Sequence, residues 1–125
     1  MLNLELKGKN SKNGIISVEI ENQSPDPIMI SGDVILLDGF TSDKFKIIDK
    51  ASNESLVYLG QLVKYKPQKI ELNEHQKLIS ELNLKDAYNL EDCHEYQVIF
   101  KTIAIVGHDI FHLSGEISIN IGECN

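Results

Sequence analysis

Apolar and polar residues alternate along much of this chain. Leu2, Leu4 and Leu6 share one side of an extended backbone, with Asn3 and Glu5 between them. Ile16, Val18 and Ile20 repeat the pattern against Ser17, Glu19 and Glu21. A period of two is the mark of a half-buried strand. The segment Asn22-Gln-Ser-Pro-Asp-Pro27 then interrupts pairing, because proline has no N–H to give a ladder. Further strands are expected at 28–31, 34–37, 44–49, 56–58, 61–66, 69–72 and 76–82. The strongest runs from 96 to 106, with Tyr96, Val98 and Phe100 on one face, and it is punctuated by Gly107, His108 and Asp109. Shorter runs at 110–113 and 116–121 complete the pattern.

Asn53-Glu54 and Asn73-Glu74 read as turns between strands. No segment sustains apolar residues at helical spacing, and Leu84-Lys-Asp-Ala-Tyr-Asn-Leu90 is long enough only for a turn or two. Seven to nine short strands spaced by turn signals predict an all-β, immunoglobulin-like antiparallel β-sandwich, with a closed barrel the nearest rival. Tyr96, or alternatively Tyr88, is placed to act as the sandwich's corner tyrosine, its hydroxyl bonding back to the preceding backbone. With no linker or repeat, residues 1–125 read as one domain.

Composition changes this picture little: 42% hydrophobic and 25% charged residues describe an ordinary globular chain. Charge says more. Twelve basic against nineteen acidic side chains give −7 at neutral pH, a field that repels nucleic-acid phosphates and anionic lipid. No apolar run approaches the roughly 18 residues of a membrane span, so membrane insertion is not expected. The N-terminal residues alternate and carry charge, unlike a signal peptide, so a cytoplasmic chain is expected, or an exported or periplasmic one if trimmed. Cys93 and Cys124 form no C-x-x-C pair. Two unpaired thiols is the plainer expectation, and a disulfide pinning the C-terminal residues is the alternative that would suit an exported protein.

A search for chemistry returns one imitation. His108-Asp-Ile-Phe-His112 resembles the H-E-x-x-H of zinc peptidases, which needs a helix to bring both imidazoles to one face. The flanking residues read as strands around a turn, and on a strand residues four apart lie about 13 Å from each other. There is no G-x-S-x-G elbow, no glycine-rich phosphate loop and no calcium loop, and adjacency of Cys93 and His94 does not build a dyad. The expectation is therefore no enzyme, no catalytic residue, no metal and no cofactor. N-glycosylation sequons begin at Asn22 and Asn53.

The middle of the chain is more distinctive. Leu37-Asp-Gly-Phe-Thr-Ser-Asp-Lys-Phe-Lys-Ile47 precedes Val57-Tyr-Leu-Gly-Gln-Leu-Val-Lys64, then Pro67, Ile70-Glu-Leu72, Leu82-Asn-Leu-Lys-Asp-Ala-Tyr88 and Tyr96-Gln-Val98. This order resembles the non-catalytic N-terminal pro-region sandwich of bacterial deuterolysin-type (aspzincin) metalloendopeptidases, over residues 2–121 and most densely from 37 to 98. These residues contain neither the family's H-E-x-x-H helix nor its aspartate motif, and Cys93-His-Glu95 stands where the family has a proline or glycine turn. There is also a resemblance to small intracellular proteinase inhibitors built on an immunoglobulin-like sandwich. Both imply a non-enzymatic protein-binding module, inhibiting or chaperoning a peptidase in trans. A structural or surface-assembly module of a secreted complex, or a self-associating sandwich, is the alternative. The stretch 57–67 is the expected docking segment, with Tyr58, Leu59, Leu62, Lys64, Tyr65 and Lys66 as its contact residues, because it is more apolar than an outer strand needs.

Overall fold

Each alternating run needs a second apolar face to bury against, and in this chain two antiparallel sheets supply it for each other. A computed structural model describes residues 1–64 and 66–124. The first sheet contains β1 (Leu2–Asn10), β2 (Ile15–Asn22) and β7 (Lys77–Asn83), in the order β1-β2-β7. Its register sets Leu4 opposite Ile20 and Leu6 opposite Val18, with Ile16 opposite Leu82 on the other side of β2. Their side chains all turn inward and are buried.

The second sheet is ordered β5-β4-β8-β9, from β4 (Phe45–Asp49), β5 (Glu54–Ser55), β8 (Glu95–Val106) and β9 (Asp109–Asn120). Phe45, Ile47, Tyr96, Val98, Phe100, Ala104 and Ile119 face the first sheet from it. A two-stranded ribbon of β3 (Ile28–Ser31) and β6 (Lys69–Leu72) adds Ile30 and Leu72 to the same core. The architecture is the expected all-β sandwich. The sheets close on each other where β1 crosses β9: a Cβ at Gly115 would lie 3.0 Å from Leu4 Cδ2 and 3.2 Å from Leu6 Cγ. A side chain there would push the layers apart.

Tyr96 takes the corner role, its buried hydroxyl accepting a 2.9 Å hydrogen bond from the Glu91 N–H. Tyr88 instead donates its hydroxyl to Asp43 Oδ1 at 2.8 Å. Around the proline-bearing interruption, the buried Asn22 donates Nδ2 to the carbonyls of Asp26 and Leu72, holding the unpaired backbone in place.

Some expected strands are absent or differ. Residues 34–37 form no strand: Val34 and Ile35 end a 3-10 turn, Gly32–Ile35, and the chain turns on through Leu36, in the left-handed region at φ 55, and Leu37. Residues 56–58 and 61–64 join no ladder, and Tyr65 lies outside the described residues. The runs 110–113 and 116–121 are one strand, β9, through Asn120, because Gly115 is compatible with strand geometry and continues the pairing opposite Phe100. The brief helical candidate is a 3-10 turn, Leu84–Asp86, capped by Asn83 Oδ1 accepting from the Lys85 N–H at 3.0 Å.

Candidate functional site

Residues 56–64 run across the surface without ladder partners, yet their backbone is tied at intervals. The Leu56 N–H donates to the Ile47 carbonyl at 2.8 Å, the Leu59 N–H to Ala87 at 2.7 Å, and the Val63 N–H to Thr41 at 2.9 Å. Leu56 and Tyr58 turn inward against the core. The Tyr58 ring packs 5.7 Å from Tyr88 and 6.5 Å from Phe40, the outer end of an aromatic cluster that continues through Phe45 to Phe100. Its hydroxyl donates to the Gln61 carbonyl at 2.5 Å, folding the ring over Gly60. A Cβ at Gly60 would meet that ring at 2.5–2.7 Å, so the glycine is what permits the fold-back.

Pinned in this way, the segment presents its other apolar side chains to solvent. Val57 is 73% exposed, Leu59 66%, Leu62 79% and Val63 42%. Four apolar groups in seven residues, held outward on a fixed backbone, form a ridge that owes nothing to the core. Of the expected contact residues, Leu59 and Leu62 stand on the ridge, Lys64 and Lys66 are exposed beyond it, and Tyr58 is mostly committed to the aromatic cluster beneath. Tyr65 lies outside the described residues.

Two surface depressions share Leu59. One, of about 470 Å³, is lined by Leu56, Val57, Asp49, Glu54, Glu91 and Tyr96 among others. The second, of about 410 Å³, is lined by Phe40, Gln61, Glu81, Leu82 and Asp86 with their neighbours. Two carboxylates that line the first, Asp49 and Glu91, flank His94: Nδ1 lies 2.6 Å from Asp49 Oδ2 and Nε2 3.2 Å from Glu91 Oε2. Only the imidazolium can donate to both acids. The hydrogen bond with Asp49 accordingly holds the His94 pKa above its ordinary value and that of Asp49 below its own. Burial, reinforced by Asp43, pushes the Tyr88 hydroxyl far above the ordinary tyrosine range.

Cys93 and Cys124 are joined in a disulfide, with their Cα atoms 5.5 Å apart, which corrects the expectation of two unpaired thiols. Sequence spacing could not decide this. The pairing follows from the ladder, since the Cys93 N–H donates to Ile121 and the Ile121 N–H to His94, extending the β8–β9 register one step past the strands. Cys93 adopts φ 70, in the left-handed region, and so makes the turn that leads into β8.

The peptidase-like motif spans a turn and a strand: His108 follows Gly107 in the hairpin turn, and His112 lies on β9 opposite Ile103. No group of three or more His, Cys, Asp or Glu side chains suited to a metal ion occurs among the described residues. Asn22 of the first sequon is fully buried, while Asn53 of the second sits exposed in the turn between β4 and β5. Sequence reasoning missed a second apolar surface at the hairpin tip, where Ile103, Ile105 and Ile110 are 51%, 66% and 62% exposed. The signal was the run Ile103-Ala-Ile-Val106, which has no polar residue on either face. No helix is long and apolar enough to cross a membrane. No protein-family model matches the chain, and no curated protein matches it by sequence.

Proposed function

We propose that this chain is a non-enzymatic protein-binding module that docks through the outward side chains of residues 57–63. The observation that carries the reading is the combination of exposure and restraint at Leu59 and Leu62. Their backbone is already fixed by hydrogen bonds to Ile47, Ala87 and Thr41, so a partner meets apolar groups whose ordering cost has been met in folding. The pro-region resemblance supports a peptidase as that partner, inhibited or assisted in trans. The test is co-purification and inhibition against candidate peptidases from the same source, comparing the native chain with Leu59→Asp and Leu62→Asp. Loss of binding in those variants, with folding intact, supports the reading. Binding that both variants retain removes it.

A second reading, as a structural or surface-assembly module of an exported complex, draws on the Cys93–Cys124 disulfide, which belongs to an oxidising compartment. Light scattering of the purified chain separates self-assembly from docking to a different protein. A concentration-dependent rise in mass favours assembly, and a constant monomer mass argues against it.

A further inference from the structure

The two depressions on either side of Leu59 share a chemistry. Each has apolar walls: Leu56, Val57 and Tyr96 in the first, Phe40 and Leu82 in the second, with Leu59 common to both. Each also carries carboxylates, namely Asp49, Glu54 and Glu91 in the first and Glu81 and Asp86 in the second. No lysine or arginine lines either one. Asp49 and Glu91 are shared with His94, whereas Glu54, Glu81 and Asp86 are exposed and take part in no ion pair among the described residues. The cations of the same segment, Lys64 and Lys66, lie outside both depressions.

An apolar wall with carboxylates at its rim fits one class of side chain well. Lysine and arginine lay a hydrocarbon stem along apolar surface and keep the charged head where an acid and water can reach it. Arginine adds a planar fork that matches a carboxylate. Resting on the docking reading above, we propose that the partner segment is basic, placing one lysine or arginine on each side of Leu59. The net charge of −7 acts in the same direction, steering a cationic segment toward the chain and repelling an acidic one.

The probe is a short peptide, Ala-Arg-Ala-Leu-Ala-Arg-Ala with blocked ends, titrated into the isotope-labelled chain and followed by NMR. Its counterparts replace both arginines by citrulline, which keeps the shape and removes the charge, or by glutamate. The expected result is saturable shifts at the amides of Leu59, Glu54 and Glu81 with the arginine peptide alone, weakening about tenfold or more from low to physiological salt. A triple variant, Glu54→Gln with Glu81→Gln and Asp86→Asn, should abolish them. Reversing Lys64 and Lys66 to glutamate should leave them in place. Equal binding of the arginine and citrulline peptides overturns the proposal, as does binding by the triple variant or no binding of the arginine peptide at all. These outcomes are separate from the docking reading, which fails only if Leu59→Asp and Leu62→Asp leave partner capture unchanged.

Discussion

Residues 56–63 and strand β8 are both rich in apolar side chains and reach opposite ends. Residues 56–59, like β8, turn successive side chains inward and outward, yet β8 lies between β4 and β9 with partners on both edges through its first half, and residues 56–63 have no ladder partner. In β8 Glu95, Gln97 and Lys101 fall outside and the inward row of Tyr96, Val98, Phe100, Thr102 and Ala104 is buried. In the loop Leu56 and Tyr58 are inward too, but the outward positions Val57 and Leu59 are as apolar as the inward ones. Alternation therefore reports which way side chains point. A strand also needs a neighbouring backbone to pair with, and no count of apolar residues within one segment supplies that.

The difference is broken most severely from the strand side. Phe100 is fully buried, packed 4.8 Å from Phe45, and it faces Gly115 across the ladder. Phe100→Ala should cost about 3–5 kcal/mol of stability, read by chemical denaturation, because the cavity lies between two sheets that cannot both collapse into it. A cost under about 1 kcal/mol would mean that the sheets are not locked together at this point. Next comes the clasp at the foot of the same strand. Replacing Cys93 and Cys124 together by serine opens a link between residues 31 apart and should cost about 2–4 kcal/mol, with reductant producing the same shift in the native chain and none in the variant.

The strand side was largely legible. The runs at 2–6, 16–20, 28–31, 44–49, 69–72, 76–82 and 96–106 all appear as strands within a residue or a few, because inward-facing apolar residues recur with a period of two in nearly all of them. So was the corner tyrosine, since its bond reaches only five residues back to Glu91. The loop was half legible. Its excess of apolar residues was visible, but a strand was expected at 61–66 because the missing partner is a fact about distant segments. The His94 cluster was not legible at all. Asp49 lies 45 residues from His94, and only the pairing of β4 with β8 brings the two together.

A smaller effect should distinguish the two regions by pH. Asp49 titrates below its ordinary range, so its contribution is present above about pH 4 and lost as the carboxylate protonates on further acidification. His94 titrates above its ordinary value, so its contribution is complete below about pH 6.5 and lost as the pH rises through the higher folded pKa. The two windows overlap between roughly pH 4 and pH 6.5. The gap in Tm between the native chain and His94→Gln should be widest there and narrow on both sides. Glu91, the other acid facing the imidazole, and Tyr96, stacked on it at 6.1 Å, remain in the variant. A gap that does not change with pH would reduce the cluster to packing.

The smallest expected change is the one that bears most on function. Leu62 is 79% exposed, so Leu62→Ser should shift stability by no more than about 0.5 kcal/mol, against several for a leucine lost from β1. Val57→Ser, at 73% exposure, should behave alike. The same chemical change is thus nearly silent on the loop and severe in the sheet, although both segments are rich in leucine. A loss above about 1 kcal/mol at Leu62 would mean that its side chain packs against this chain's own surface, and the docking ridge would lose its outermost member. Near-neutrality leaves Leu62 with no work to do in folding, so any loss of partner binding in Leu62→Ser can be read as contact rather than as damage to the fold.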